Sequence, residues 1–104
     1  MSWFILVISG VLEAVWATAL GKSESFGRLV PSAVFFVALV LSMGGLAFAM
    51  RELPVGTSYA VWVGIGAVLT VVYAMAAGDE SVSPLKILFL VGIVGSVIGL
   101  KLAP

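Results

Sequence analysis

Glu13 lies ten residues after Trp3, in the middle of an apolar stretch from about Trp3 to Leu20 that carries no other charge. A carboxylate at the centre of such a segment is expensive in a bilayer, and its usual justification is an ion or proton path. Held away from water, it exchanges between a neutral protonated form and a charged form that seeks a cation, so it can bind either. The competing reading is a structural glutamate hydrogen-bonded between helices. Trp16 follows three residues later and shares the helix face. There it can donate its indole N–H to Glu13 and wall a cation pocket, or else stand at the membrane interface. Tyr59 and Trp62 repeat the three-residue spacing. Their faces attract cations, and Tyr59 adds a hydroxyl; the alternative is an interfacial aromatic belt. Ser42 sits midway along another apolar run, where its hydroxyl either reaches Glu13 or bonds back to its own helix.

These side chains need rigid elements to hold them. Charged residues divide the chain into four apolar segments, read here as helices over about 3–20, 29–50, 54–78 and 85–103. A membrane-spanning helix needs roughly 20 mostly apolar residues. Lys86 and Lys101 lie near the ends of the fourth, where long side chains snorkel to the headgroups. Pro84 suits the first turn of that helix. The expected fold is an all-α membrane protein, one four-helix transmembrane domain over 1–104. Small residues mark the expected contacts. Gly10 and Ala17 flank Glu13 and allow close approach. Gly64 and Gly66 predict a bend in helix three. Gly44-Gly45 loosens helix two or lets it pack closely. Gly92, Gly95 and Gly99 form a stripe in helix four, the natural seam for a second copy.

Composition supports lipid as the solvent. Of 104 residues, 62% are hydrophobic and 10% charged, and mean hydropathy is +1.29. A chain this short leaves too much surface exposed to hide that apolar area in water. Five basic residues balance five acidic ones, and no basic run points to nucleic acid. Without cysteine or histidine there is no thiolate metal site, no thiol nucleophile and no imidazole proton shuttle. No enzymatic activity, metal or cofactor is expected. The first segment lacks the basic start and cleavage site of a signal peptide and is read as retained.

Four spans place Arg51 and Lys101 on one side and Lys22, Arg28 and Lys86 on the other. Two against three is almost no bias, so the positive-inside rule barely selects an orientation. Copies inserted both ways can pair antiparallel, giving the inverted symmetry that transporters often build from internal repeats.

The chain resembles the small multidrug resistance family of four-helix proton-coupled exporters. The resemblance covers essentially the whole length. It rests on Gly10-x-x-Glu13, on Lys22 and Arg28-Leu29-x-Pro31-Ser32, and on Leu53-Pro54-x-Gly56-Thr57-x-Tyr59-Ala60-x-Trp62-x-Gly64-x-Gly66. Trp16 after Glu13, together with Ser42 and the ending Gly99-Leu100-Lys101, is similar to the guanidinium-exporting branch. The exporters of polyaromatic cations typically carry glycine where Trp16 stands. The resemblance implies an antiparallel dual-topology homodimer in the bacterial inner membrane. It also implies export of guanidinium and small substituted guanidinium cations against protons, with Glu13, Trp16, Ser42, Tyr59 and Trp62 forming the binding site. The alternatives it leaves are a broader quaternary ammonium exporter and one subunit of a heteromeric pair. Met43-Gly44-Gly45, the Asp79-Glu80 loop with Pro84, Val63 and Tyr73 depart from the family pattern. The looser second helix predicts tolerance of a hydrophobic tail on the guanidinium.

Overall fold

A computed structural model describes residues 1–103. They form four helices: α1 (Ser2–Lys22), α2 (Leu29–Ala49), α3 (Val55–Ala76) and α4 (Pro84–Leu102). Each is long and apolar enough to cross a membrane. At 1.5 Å per residue their 19–22 residues span about 30 Å, the thickness of a hydrocarbon core. In lipid every backbone polar group must be paired within the segment, which is why such sequences form uninterrupted helices.

The helix ends follow local chemistry. Ser83 caps α4, its Oγ accepting from the Lys86 N–H at 3.1 Å, with Pro84 at the first position. α3 stops at Ala76, two residues before the segment end expected from the charges. There Gly78 takes φ +83°, the left-handed conformation that glycine adopts freely. The Gly78 and Asp79 amides then donate back to the Met75 and Ala74 carbonyls at 3.2 and 2.9 Å.

The connection from α1 to α2 is more unusual. Glu24, Ser25 and Phe26 all have positive φ, at 51°, 59° and 70°. Each costs roughly 1–2 kcal/mol. The buried Ser23 holds this turn: its Oγ donates to the Leu20 carbonyl at 2.8 Å and accepts from the Phe26 N–H at 3.1 Å. The Phe26 ring stacks on Phe36 at 5.7 Å. At the opposite end of the bundle, Ser2 Oγ donates to Glu52 in the α2–α3 connection at 2.7 Å.

α1 is central. It packs against α2 and α3, while α4 leans on α3 and contributes no buried residue. The buried core is Leu6, Leu46, Ala49, Val61 and Trp62. The molecule measures 44 × 34 × 17 Å. Its short axis is under two helix diameters, so a single chain encloses little interior.

Candidate cation site at Glu13

On α1, Leu6, Gly10, Glu13 and Ala17 fall on one stripe by their three- and four-residue spacing. Close helix approach brings this stripe against α3. A Cβ added at Gly10 would lie 2.7 Å from Ile65 Cγ2 and 2.8 Å from Ile65 Cβ. One turn further, a Cβ at Gly66 would overlap the Glu13 Oε1 and come within 2.8 Å of its Cγ. The missing side chain of Gly66 is therefore the seat of the Glu13 carboxyl group. Glu13 Oε1 is buried and has no hydrogen-bond partner in the protein. Among the described residues Glu13 makes no salt bridge; the two that form, Lys22–Asp79 and Lys86–Glu80, lie at the exposed helix ends. A buried oxygen left this way is costly unless something pairs with it.

Trp16 takes a different position from the one its spacing suggested. Its indole N–H is buried and unpaired, and does not donate to Glu13. The ring is held edge-on against Phe35 of α2, with centroids 6.0 Å apart at 77°. This favoured aromatic geometry fixes the ring's direction.

Ser42 also departs from expectation. It reaches neither Glu13 nor its own helix. Its hydroxyl donates to the Ser9 carbonyl of α1 at 2.7 Å and accepts from the Trp62 indole N–H of α3 at 3.0 Å. Three helices thus meet at one buried hydroxyl. The reason is satisfaction: the buried Trp62 N–H needs an acceptor and the Ser42 proton needs another, and Ser9 supplies it. Tyr59 packs on Trp62 with centroids 5.9 Å apart at 36°, yet remains 56% exposed at the outer edge of the group.

The glycines divide by role. α3 is helical throughout Val55–Ala76, and Gly64 is a packing point: a Cβ there would lie 2.8 Å from Val97 of α4. Gly92, Gly95 and Gly99 have no neighbour within 4 Å, and neither does Gly44. Gly45 does not open a route for a ligand's tail, because Ser9 fills it: an added Cβ would overlap the Ser9 hydroxyl. A cavity of about 550 Å³ does not include Glu13. It lies along a different stripe of α1, lined by Val11, Thr18 and Lys22 with Val34, Leu69 and Tyr73.

Three residues near this group escaped sequence reasoning: Ser9, Phe35 and Ser58. Ser9 was findable, since it lies four residues before Glu13 on the same face. Ser58 lies one helical turn before Trp62, fully buried, its hydroxyl unpaired; an isolated serine in a glycine- and alanine-rich helix carries no signal of that. Among the described residues no three His, Cys, Asp or Glu side chains cluster to hold a metal. The arrangement is a half-buried carboxylate in an apolar bundle, with one buried, unpaired oxygen, able to take up a proton or an N–H-bearing cation.

Comparison with known proteins bears on this chemistry. Residues 1–94 match the family model described as Small Multidrug Resistance protein. Among curated proteins, the chain is 50% identical over 103 residues to a protein of Escherichia coli (strain K12) named "Guanidinium exporter", covering 99% of this chain and 98% of that one. Proteins with the same name in Proteus vulgaris and Citrobacter freundii are each 48% identical over 103 residues. The matches cover 99% of this chain in both cases, and 99% and 98% of theirs.

Proposed function

Because this chain belongs to the Small Multidrug Resistance family of multi-pass membrane transporters, we propose that it exports guanidinium and small substituted guanidinium cations in exchange for protons. The observation that carries this reading is the Glu13 carboxylate, seated against Gly66 with a buried oxygen that no protein group pairs. A guanidinium ion presents planar N–H donors in a fork that matches a carboxylate. It supplies both the missing charge and the missing donors. The names of the relatives, at about half identity over nearly full length, support the same substrate class.

Transport follows from competition. A proton and a guanidinium ion both bind the Glu13 carboxylate, and neither binds well while the other is present. When the site opens to the outside, a proton displaces the cation; when it opens to the inside, a cation displaces the proton. Trp16 follows Glu13 by one turn of α1 and Trp62 precedes Gly66, the seat of the carboxyl group, by one turn of α3, with Tyr59 packed on Trp62 at the exposed edge.

Alternating access by this route uses two copies in antiparallel orientation, each contributing Glu13, in the bacterial inner membrane. Three features support the pairing. The basic residues divide almost evenly between the two membrane sides. α4 buries nothing within its own chain, and its Gly92, Gly95 and Gly99 have open space around them. The flat, 17 Å-thick chain leaves Glu13 without a full enclosure of its own.

Solid-supported-membrane currents from purified, reconstituted protein test the proposal. Guanidinium pulses should drive proton-coupled currents in the wild type and none in Glu13→Gln. Absence of a guanidinium current in the wild type, or an undiminished one in the glutamine variant, would refute it.

A further inference from the structure

The geometry points to Ser9 as a positioning residue for Glu13, with Gly45 as its socket; this rests on the reading of Glu13 as the cation-binding group. α1 is helical from Ser2 to Lys22, so the Glu13 amide N–H donates to the carbonyl four residues earlier, that of Ser9. The same carbonyl accepts the Ser42 hydroxyl at 2.7 Å. A peptide carbonyl has two lone pairs, and here one goes to the turn that carries Glu13 and the other to α2. The Trp62 N–H then closes on Ser42 from α3 at 3.0 Å. The backbone of the Glu13 turn is thereby tied to both neighbouring helices, although the carboxylate itself has no protein donor.

This tie exists only if α1 and α2 approach closely at one place. Ser9 is almost fully buried and its own Oγ is turned back onto the Ile5 carbonyl at 2.8 Å. In that position it occupies the space where Gly45 lacks a side chain. A methyl at Gly45 would overlap the Ser9 Oγ, and would still lie 3.2 Å from Ser9 Cβ and 3.6 Å from Ile5 Cγ2. Turning the hydroxyl away would break its bond to Ile5 and would leave the Cβ contact. Relief therefore comes from separating the helices, and separation lengthens the Ser42–Ser9 bond. Ser9 and Gly45 form a fitted pair that sets the height and tilt of the Glu13 turn, and with them the place where the carboxylate meets its cation.

The test measures equilibrium guanidinium binding in nanodiscs beside the backbone amide NMR signal of Glu13. Gly45→Ala should bind guanidinium about tenfold more weakly and should shift the Glu13 amide resonance. Adding Ser9→Gly removes both the hydroxyl and the Cβ that the new methyl meets, leaving only the 3.6 Å contact with Ile5, so Ser9→Gly/Gly45→Ala should recover most of the affinity and return the resonance. Ser42→Ala adds no bulk and should shift the same resonance, which keeps the test decisive where Gly45→Ala does not fold. An unmoved Glu13 amide in Ser42→Ala, unchanged binding in Gly45→Ala, or failure of Ser9→Gly to rescue would each overturn the proposal. If the wild type binds no guanidinium while the amide still moves and returns as described, the positioning role stands and the substrate reading falls.

Discussion

The carboxyl group of Glu13 lies directly over the Cα of Gly66, in space that any other side chain at that position would fill. The contact joins α1 to α3 one turn of α1 beyond the point where Gly10 meets Ile65. A polar group in the bundle is thus bought its room by a backbone, and the carboxylate's position depends on the shape of the neighbouring helix.

Gly66→Ala should therefore impair function more than an ordinary glycine-to-alanine change in a helix, which favours the helix by up to about 1 kcal/mol. The added methyl must displace the Glu13 side chain or part the helices, and overpacking of this kind costs roughly 1–3 kcal/mol. The expected outcome is loss of guanidinium-driven current with expression retained. Gly44→Ala, with open space at its Cβ, serves as the comparison in thermal stability of the detergent-solubilised protein. Equal transport rates for wild type and Gly66→Ala would remove Gly66 as the carboxylate's seat.

Glu13→Gln keeps the shape of the side chain and removes its titration. It should insert and fold, yet carry no proton-coupled current. In the wild type, lowering the pH should weaken guanidinium binding, since protons then occupy the carboxylate, by at most about tenfold per pH unit where one proton is displaced per cation. Calorimetric titrations across a pH series check this, and the pH dependence should vanish in Glu13→Gln. A wild-type affinity that does not change with pH would separate cation binding from proton binding.

Much of the fold was legible because this chain has so few charges. Arg51-Glu52 and Asp79-Glu80 mark the ends of apolar runs that lipid forces into helices. The end of α3 was less legible, since the runs are bounded by charge while the helix is ended by the left-handed Gly78. At the site, residue type and depth singled out Glu13, and spacing paired Tyr59 with Trp62. The hydrogen bonds were not legible, because the acceptor for Ser42 is a backbone carbonyl and every residue has one. Gly44 and Gly45 look alike in sequence but point about 100° apart on the helix. One meets Ser9 and the other meets nothing.

Topology offers a third test. A single cysteine placed at Glu24, in the connection between α1 and α2, should be labelled by an impermeant maleimide from both sides of the membrane. That result follows from the nearly even division of Lys22, Arg28 and Lys86 against Arg51 and Lys101. Labelling from one side alone would mean a fixed orientation, and would call for an oppositely oriented partner chain.

Specificity provides the last prediction: guanidinium and singly substituted guanidiniums should be transported, and large polyaromatic cations should not. Trp16 lies one turn beyond Glu13, and its ring is pinned edge-on by Phe35 at 6.0 Å, so it cannot swing aside without losing that contact. Trp62 is anchored as firmly by its bond to Ser42. A flat, bulky cation would have to displace one of these two indoles. A small quaternary ammonium ion would fit but brings no N–H donors, and would leave the Glu13 oxygen unpaired at roughly 1–3 kcal/mol, or about tenfold in affinity per 1.4 kcal/mol. A tail on guanidinium faces a different geometry. Gly45 offers it no opening, since Ser9 fills that space, whereas the half-exposed Tyr59 marks an unblocked edge. Singly substituted guanidiniums should therefore retain most of the guanidinium current, with the tail leaving past Tyr59. Trp16→Gly should widen the range towards bulky cations while weakening guanidinium. Transport currents across a series of guanidinium, alkylguanidinium, tetramethylammonium and a polyaromatic cation decide the matter. A polyaromatic cation that carries current as well as guanidinium in the wild type would show that the two indoles do not set the limit.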